Sequence, residues 1–135
     1  MENNVAPQTD LKALAQGYLD AFHARDLDRC LDFFRDDASI DFNKTLYTGR
    51  KAITDWHKDR FEADLKLIKT NSITADGDTV VVEGAVTSKR LAAWRVKALS
   101  GRVTMRFVDG KIQAGKLAPR MTNPFNMIRE DMGAW

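Results

Sequence analysis

The sequence predicts an α+β fold, a curved antiparallel sheet with three N-terminal helices packed on one face. Three observations carry this reading. Up to about Phe61 the apolar residues recur mostly at helical spacing, and from Leu65 to Pro119 they alternate with polar ones. The alternating part is cut by turn signals at Asp76-Gly77-Asp78 and Asp109-Gly110. Helices followed by a meander of strands mark α+β architecture rather than alternating βαβ units.

Each element has its own signal. Leu11, Leu14, Ala15, Tyr18 and Phe22 share one helix face, which predicts a first helix from a cap at Thr9 or Asp10 to about Ala24. Asp26 is placed to cap a second helix, Leu27 to about Arg35, with Leu27, Cys30, Leu31 and Phe34 on its apolar face. The period then changes: Ser39 to Asn43 reads as a short strand with Ile40 and Phe42 on one side. Gly49 precedes a third helix in which Ile53, His57 and Phe61 share a face, with Trp56 beside them. Strands follow over Leu65–Ala75, Thr79–Lys89, a run through Val103, Met105 and Phe107, and Lys111 to about Pro119. A loop spans the region around Leu91 to Trp94, where Trp94 reads as a packing or dimer contact.

Face assignment leaves two glycines inside. Val80, Val82, Gly84 and Val86 form the better inner face of their strand, and the phase that buries Leu117 also turns Gly115 and Gln113 inward. Gly84 and Gly115 either relieve strain at a bulge or leave empty volume for a ligand.

Composition narrows the function. A chain of 135 residues fits one domain with a real core. Residues 1–9 read as a flexible leader, 10–121 as the domain and 122–135 as a helical tail or lid. A net charge of +2, with basic and acidic residues interspersed, gives no stripe for nucleic acid. No apolar run approaches the roughly 20 residues of a membrane span, and residues 1–10 lack a signal-peptide core. Cys30, the single cysteine, reads as a core residue and fits a reducing, cytoplasmic setting. Two separated histidines without clustered carboxylates predict no metal site, and no phosphate loop predicts a cofactor.

The candidate site starts from two titratable side chains on apolar helix faces. Tyr18 carries a hydroxyl into the interior, where it needs a partner or a ligand, and His57 occupies the same kind of position. His57 is the candidate base or acid because its pKa ordinarily lies near neutrality. Tyr18 would donate to an oxygen gaining negative charge. Alternatively the two bond to each other or to backbone as satisfied interior groups. Asp41 alternates outward against Ile40 and Phe42, though a bulge would turn it inward as a base. His23, near a helix end, reads as a rim or surface residue.

The pieces Tyr18-Leu-Asp-Ala-Phe, Asp26-Leu-Asp, Phe33-Phe-Arg-Asp-Asp-Ala-Ser-Ile-Asp, Gly49-Arg-Lys-Ala-Ile and Arg106-Phe-Val-Asp-Gly-Lys-Ile, in this order, span about Leu11 to Leu117. Their order resembles the nuclear-transport-factor-2-like superfamily, in its SnoaL-like and ketosteroid-isomerase-like branch. The resemblance implies a cone-shaped cavity between helices and concave sheet, and a homodimer through the outer sheet face. It also implies that the pocket tyrosines of ketosteroid isomerase fall on Tyr18 and His57, its basic aspartate on Phe42 and its oxyanion-hole acid at about Val103. With both acids replaced, that isomerisation is not expected. Scytalone dehydratase is similar around Ile40-Asp41-Phe42 and Ala114-Gly115, and at Phe125 and Glu130-Asp131, but its catalytic tyrosine and aspartate fall on Phe22 and His23. The acid of limonene-epoxide hydrolase falls on Leu117.

What remains is an apolar lining of Phe22, Phe42, Trp56, Val82, Met105 and Leu117, with Tyr18 and His57 as polar anchors. It suits an aromatic or polycyclic ligand bearing an oxygen. Two functions fit: a cofactor-independent lyase, isomerase or cyclase on a polyketide- or terpenoid-like metabolite, or a non-catalytic ligand-binding or dimerising module. Asn123-Pro124 with Phe125, Ile128 and Met132 predicts a short tail helix, either a lid with Phe125 nearest the pocket or a packing or dimer-swapped segment.

Overall fold

A computed structural model describes residues 8–119. The chain runs α1 (Gln8–His23), α2 (Leu27–Asp32), β1 (Phe34–Phe42), β2 (Thr45–Thr48), α3 (Arg50–Glu62), β3 (Lys66–Asp76), β4 (Thr79–Thr87), α4 (Lys89–Ala93), β5 (Leu99–Val108) and β6 (Lys111–Pro119). Of the expected leader at 1–9, residues 1–7 lie outside the described residues, as does the tail helix with Phe125, while Gln8 and Thr9 belong to α1. None of the described helices is long and apolar enough to cross a membrane.

The α+β class is as predicted, with one refinement of the sheet. The strands lie in the order β2-β1-β6-β5-β4-β3. Neighbours are antiparallel except β1 and β6, which run parallel with Phe42 beside Leu117. Residue alternation defines the faces of a strand but not the direction of its neighbour, so this pairing was not readable from periodicity. The register produces two apolar rows under the helices. One joins Phe42, Leu117, Val103, Val82 and Ile73; the other joins Ile40, Gly115, Met105, Val80 and Ala75. The row between them, Leu46, Asp41, Lys116, Thr104, Val81 and Thr74, belongs to the opposite face.

Local differences from the sequence reading have local causes. α1 starts at Gln8, ahead of the expected cap. α2 ends at Asp32, and Phe34 is the first residue of β1 rather than the last of a helix face. Phe34 is buried either way, so its apolarity could not choose between the two. Asp26 caps α2 as expected, its carboxylate accepting from the Arg29 N–H at 3.2 Å. The strand β2 was not foreseen. It is joined to β1 by Asn43 and Lys44, both with positive φ (53° and 67°), a two-residue hairpin built without glycine. The loop expected near Leu91 contains the short helix α4, capped by Ser88 and holding Leu91 wholly buried.

Two further features shape the sheet. A bulge lies opposite Arg106 and Phe107, where β6 carries the extra residue Gln113. Gln113 therefore does not face the core; its amide donates to the exposed Asp37 carboxylate at 3.3 Å. β3 also has bulges, between Leu67 and Lys69 and between Thr70 and Ser72, and they press the Lys69 carbonyl onto β4. A Cβ on Gly84 would stand 2.0 Å from that oxygen. Gly84 thus serves close backbone approach, not ligand space. Gly115 is different, for a Cβ there would meet Ile40 at 3.9 Å, an ordinary contact.

Candidate functional site

Tyr18 projects from α1 and His57 from α3, and their side chains meet in the interior. The Tyr18 hydroxyl lies 2.7 Å from His57 Nε2, and His57 Nδ1 lies 2.8 Å from the Ile53 carbonyl oxygen one helical turn back. A carbonyl only accepts, so Nδ1 carries the proton, Nε2 presents its lone pair, and Tyr18 donates to it. The sequence had left a mutual bond as the alternative to two free anchors, and the mutual bond is what forms.

The environment keeps the pair neutral. His57 is fully buried and is ringed by Tyr18, Phe22, Phe34, Trp56 and Phe61, with ring centroids 5.0–6.0 Å away. Burial lowers its pKa to about 4, against a smaller opposing effect of the Ile53 hydrogen bond. Burial also raises the Tyr18 pKa well above its ordinary value, with Cys30 adding to the effect. Cys30 is itself buried, and its thiol is pushed up to about 12, chiefly by burial, as suits a core residue rather than a nucleophile.

Beside this pair is an apolar cavity of about 60 Å³. Tyr18, Phe22, Trp56 and Leu117 are among the residues that line it. His57, bonded to Tyr18, is not among the lining residues. Phe42, Val82 and Met105 are buried core residues that do not contact the cavity either. They share the inner rows, but a row extends further than the space beneath α1. Asp41 is not brought to the site, because β1 has no bulge between Ser39 and Phe42 to rotate it inward. It takes its place in the outer row, beside Lys116. Phe125 lies outside the described residues.

Other lining residues were missed. Val86 and Val103 continue the inner faces of β4 and β5, and Leu65 and Leu67 come from the turn into β3 and its first residues. Leu19 follows Leu11 and Ala15 at four-residue steps, a second stripe that could have revealed it. His23 is exposed at the rim, as expected. Arg25 braces this end by pairing with Asp64 at 2.8 Å and donating to the Leu65 carbonyl at 3.0 Å.

One polar group faces the reverse problem to Tyr18. The Trp56 indole N–H is buried and has no hydrogen-bond partner among the described residues. Trp56 also lines the cavity, and its unpartnered donor is the kind of buried polar group that calls for an acceptor. The Tyr18 oxygen, its own proton committed to His57, offers a lone pair. Among the described residues no cluster of three His, Cys, Asp or Glu side chains could hold a metal ion.

Comparisons with known proteins agree with this architecture. The sequence model of the SnoaL-like domain matches residues 15–114. A candidate polyketide cyclase from Sinorhizobium meliloti superimposes with a TM-score of 0.71 at 21% identity, over 83% of this chain and 99% of that one. A candidate ketosteroid isomerase from Kribbella flavida gives 0.71 at 20% identity, over 85% and 81%. The epoxide hydrolase/cyclase-like enzyme SalBIII, of pyran ring formation in the polyether salinomycin, gives 0.70 at 20% identity, over 82% and 91%. No curated protein matches the sequence. At these identities the structural likenesses establish the fold alone. The domain match covers most of the chain, from within α1 to the middle of β6, and by it the protein belongs to the SnoaL-like family.

Proposed function

We propose that this protein acts on an apolar, oxygenated small molecule as a cofactor-independent isomerase, cyclase or lyase, with a polyketide- or terpenoid-like substrate. The observation that carries the reading is Tyr18, whose side chain lines the apolar cavity and whose hydroxyl is hydrogen-bonded to a neutral imidazole. In this account Tyr18 touches the substrate and His57 positions it. The Tyr18 oxygen accepts a proton from the substrate while its own proton passes to His57 Nε2. So weak a base can take only protons already acidified by neighbouring carbonyls, which favours polyketide-like chemistry. The neighbouring candidate cyclase and the pyran-forming enzyme point the same way.

The cavity is small against the roughly 300 Å³ or more of usual ligand sites. A bicyclic substrate must therefore displace side chains at the rim, where His23 and half-buried Leu67 stand. The test uses 2-tetralone, an apolar ketone with an acidic C–H. Saturable binding that shifts the Tyr18, Leu19 and Leu117 signals, with solvent deuterium exchange above buffer that drops in Tyr18→Phe, is expected. Binding without exchange would leave the non-catalytic ligand-binding module, a reading favoured by how completely Tyr18 and His57 satisfy each other. No binding to the folded protein would overturn both.

We further propose a homodimer through the outer sheet face, where the mixed row from Leu46 to Thr74 is open to a second copy, and a cytoplasmic location suited to the lone buried Cys30. Sedimentation at micromolar concentration is expected to give a dimer; a clean monomer would contradict it.

A further inference from the structure

Three arginines among the described residues are half-buried: Arg25, Arg35 and Arg60. Arg25 pairs with Asp64 and Arg35 with Asp109, at 2.8 and 3.3 Å. Arg60 has no carboxylate partner among the described residues, and its Nε–H is buried without an acceptor. Its guanidinium lies over Phe42, 4.5 Å from the ring centroid, and 5.9 Å from that of Trp56. Stacking of this kind fixes the plane of an arginine and leaves its edge for a planar, two-oxygen partner.

The space at that edge is a second pocket of about 490 Å³ between the end of α3, the β1–β2 hairpin and the start of α4. Tyr47 and Asn43 offer polar groups, and Lys89 and Arg90 add positive charge. Asp59 and Glu62 also border the pocket, but neither forms an ion pair with Arg60. Phe42 belongs to this pocket and Trp56 to the apolar cavity, and the two rings touch edge to face with centroids 5.5 Å apart. The pockets therefore share a wall, and Arg60 rests on it.

We propose that Arg60 binds the carboxylate of a small-molecule ligand in this second pocket. The carboxylate supplies an acceptor for a guanidinium whose buried Nε–H has none, and adds counter-charge to a half-buried cation. Burial disfavours the charged form of Arg60; Asp59 and Tyr47 partly offset that cost, and the Arg90 charge adds to it. An anion at this edge would offset what remains.

The experiment titrates the full chain with benzoate, 2-naphthoate and neutral 2-tetralone, following the Arg60 Nε–H and the Ala63 and Lys89 amides by NMR. Both carboxylates are expected to shift these signals, with 2-naphthoate the tighter. Arg60→Gln should weaken 2-naphthoate on the order of tenfold and leave 2-tetralone unchanged. Lys89→Gln, away from the aromatic wall, should give a smaller loss of 2-naphthoate alone and serves if Arg60→Gln fails to fold. Carboxylates that leave the Arg60 Nε–H unmoved while 2-tetralone binds would overturn the Arg60 site and spare the cavity. Benzoate bound at Arg60 with no binding of 2-tetralone would uphold the site and overturn the cavity reading.

Discussion

Gly84→Ala is expected to destabilise the protein by about 3 kcal/mol or more, at the upper end for overpacking. The added methyl would stand 2.0 Å from the Lys69 carbonyl oxygen and 2.9 Å from Leu67 Cδ1. The first is backbone held by the β3–β4 ladder, so it cannot swing aside as a side-chain end would. Relief requires β3 to lift from β4, which breaks ladder hydrogen bonds and moves Leu67, a wall of the cavity. Gly115→Ala is the matched control. Its methyl would lie 3.9 Å from Ile40 and 4.0 Å from the Thr104 carbonyl, and a change within about 1 kcal/mol is expected. Urea midpoints for the two variants decide the point. Equal small shifts would mean that β3 does not press on β4 as described.

Acid is expected to weaken the fold through His57 by about 3 kcal/mol. The sign follows from which state takes up the proton first. An unfolded chain protonates His57 near its ordinary 6.5, whereas burial holds the folded pKa at about 4. Below pH 6.5 the unfolded state therefore binds more protons. The full contribution is present above pH 6.5, is lost as pH falls towards 4, and changes no further below. Asp64, held below its ordinary value chiefly by the Arg25 hydrogen bond, titrates in a lower window. His57→Gln keeps hydrogen-bonding capacity without a titrating ring, and it should flatten the stability profile between pH 7 and pH 4. A variant profile as steep as the native one would remove His57 from this role.

The fold class was legible because helical spacing dominates up to about Phe61, apart from β1 and β2, and alternation dominates after Leu65. β6 was placed closely, as Lys111 to about Pro119, since Asp109-Gly110 opens it and Pro119 closes it. The β2 hairpin was not, because its turn uses Asn43-Lys44 in place of the usual Asn-Gly. At the site, the inward faces of Tyr18 and His57 could be read from helix periodicity. Periodicity gives a direction and not a depth, so it placed Phe42, Val82, Met105 and His57 at the cavity, and none of the four lines it. The Trp56 N–H and the stacked Arg60 were invisible for a related reason. Whether a polar atom finds a partner depends on contacts between α3 and β1, which no local pattern records.

The central claim, that a neutral His57 holds the Tyr18 hydroxyl beside the cavity, is tested most directly by a ¹⁵N NMR titration of the imidazole. The expected spectrum has a protonated Nδ1 and an unprotonated Nε2 at neutral pH, with ionisation near pH 4. The Nε2 signal should shift in Tyr18→Phe, which removes its donor. A ring that titrates near 6.5, or one protonated on Nε2 at neutral pH, would contradict the account.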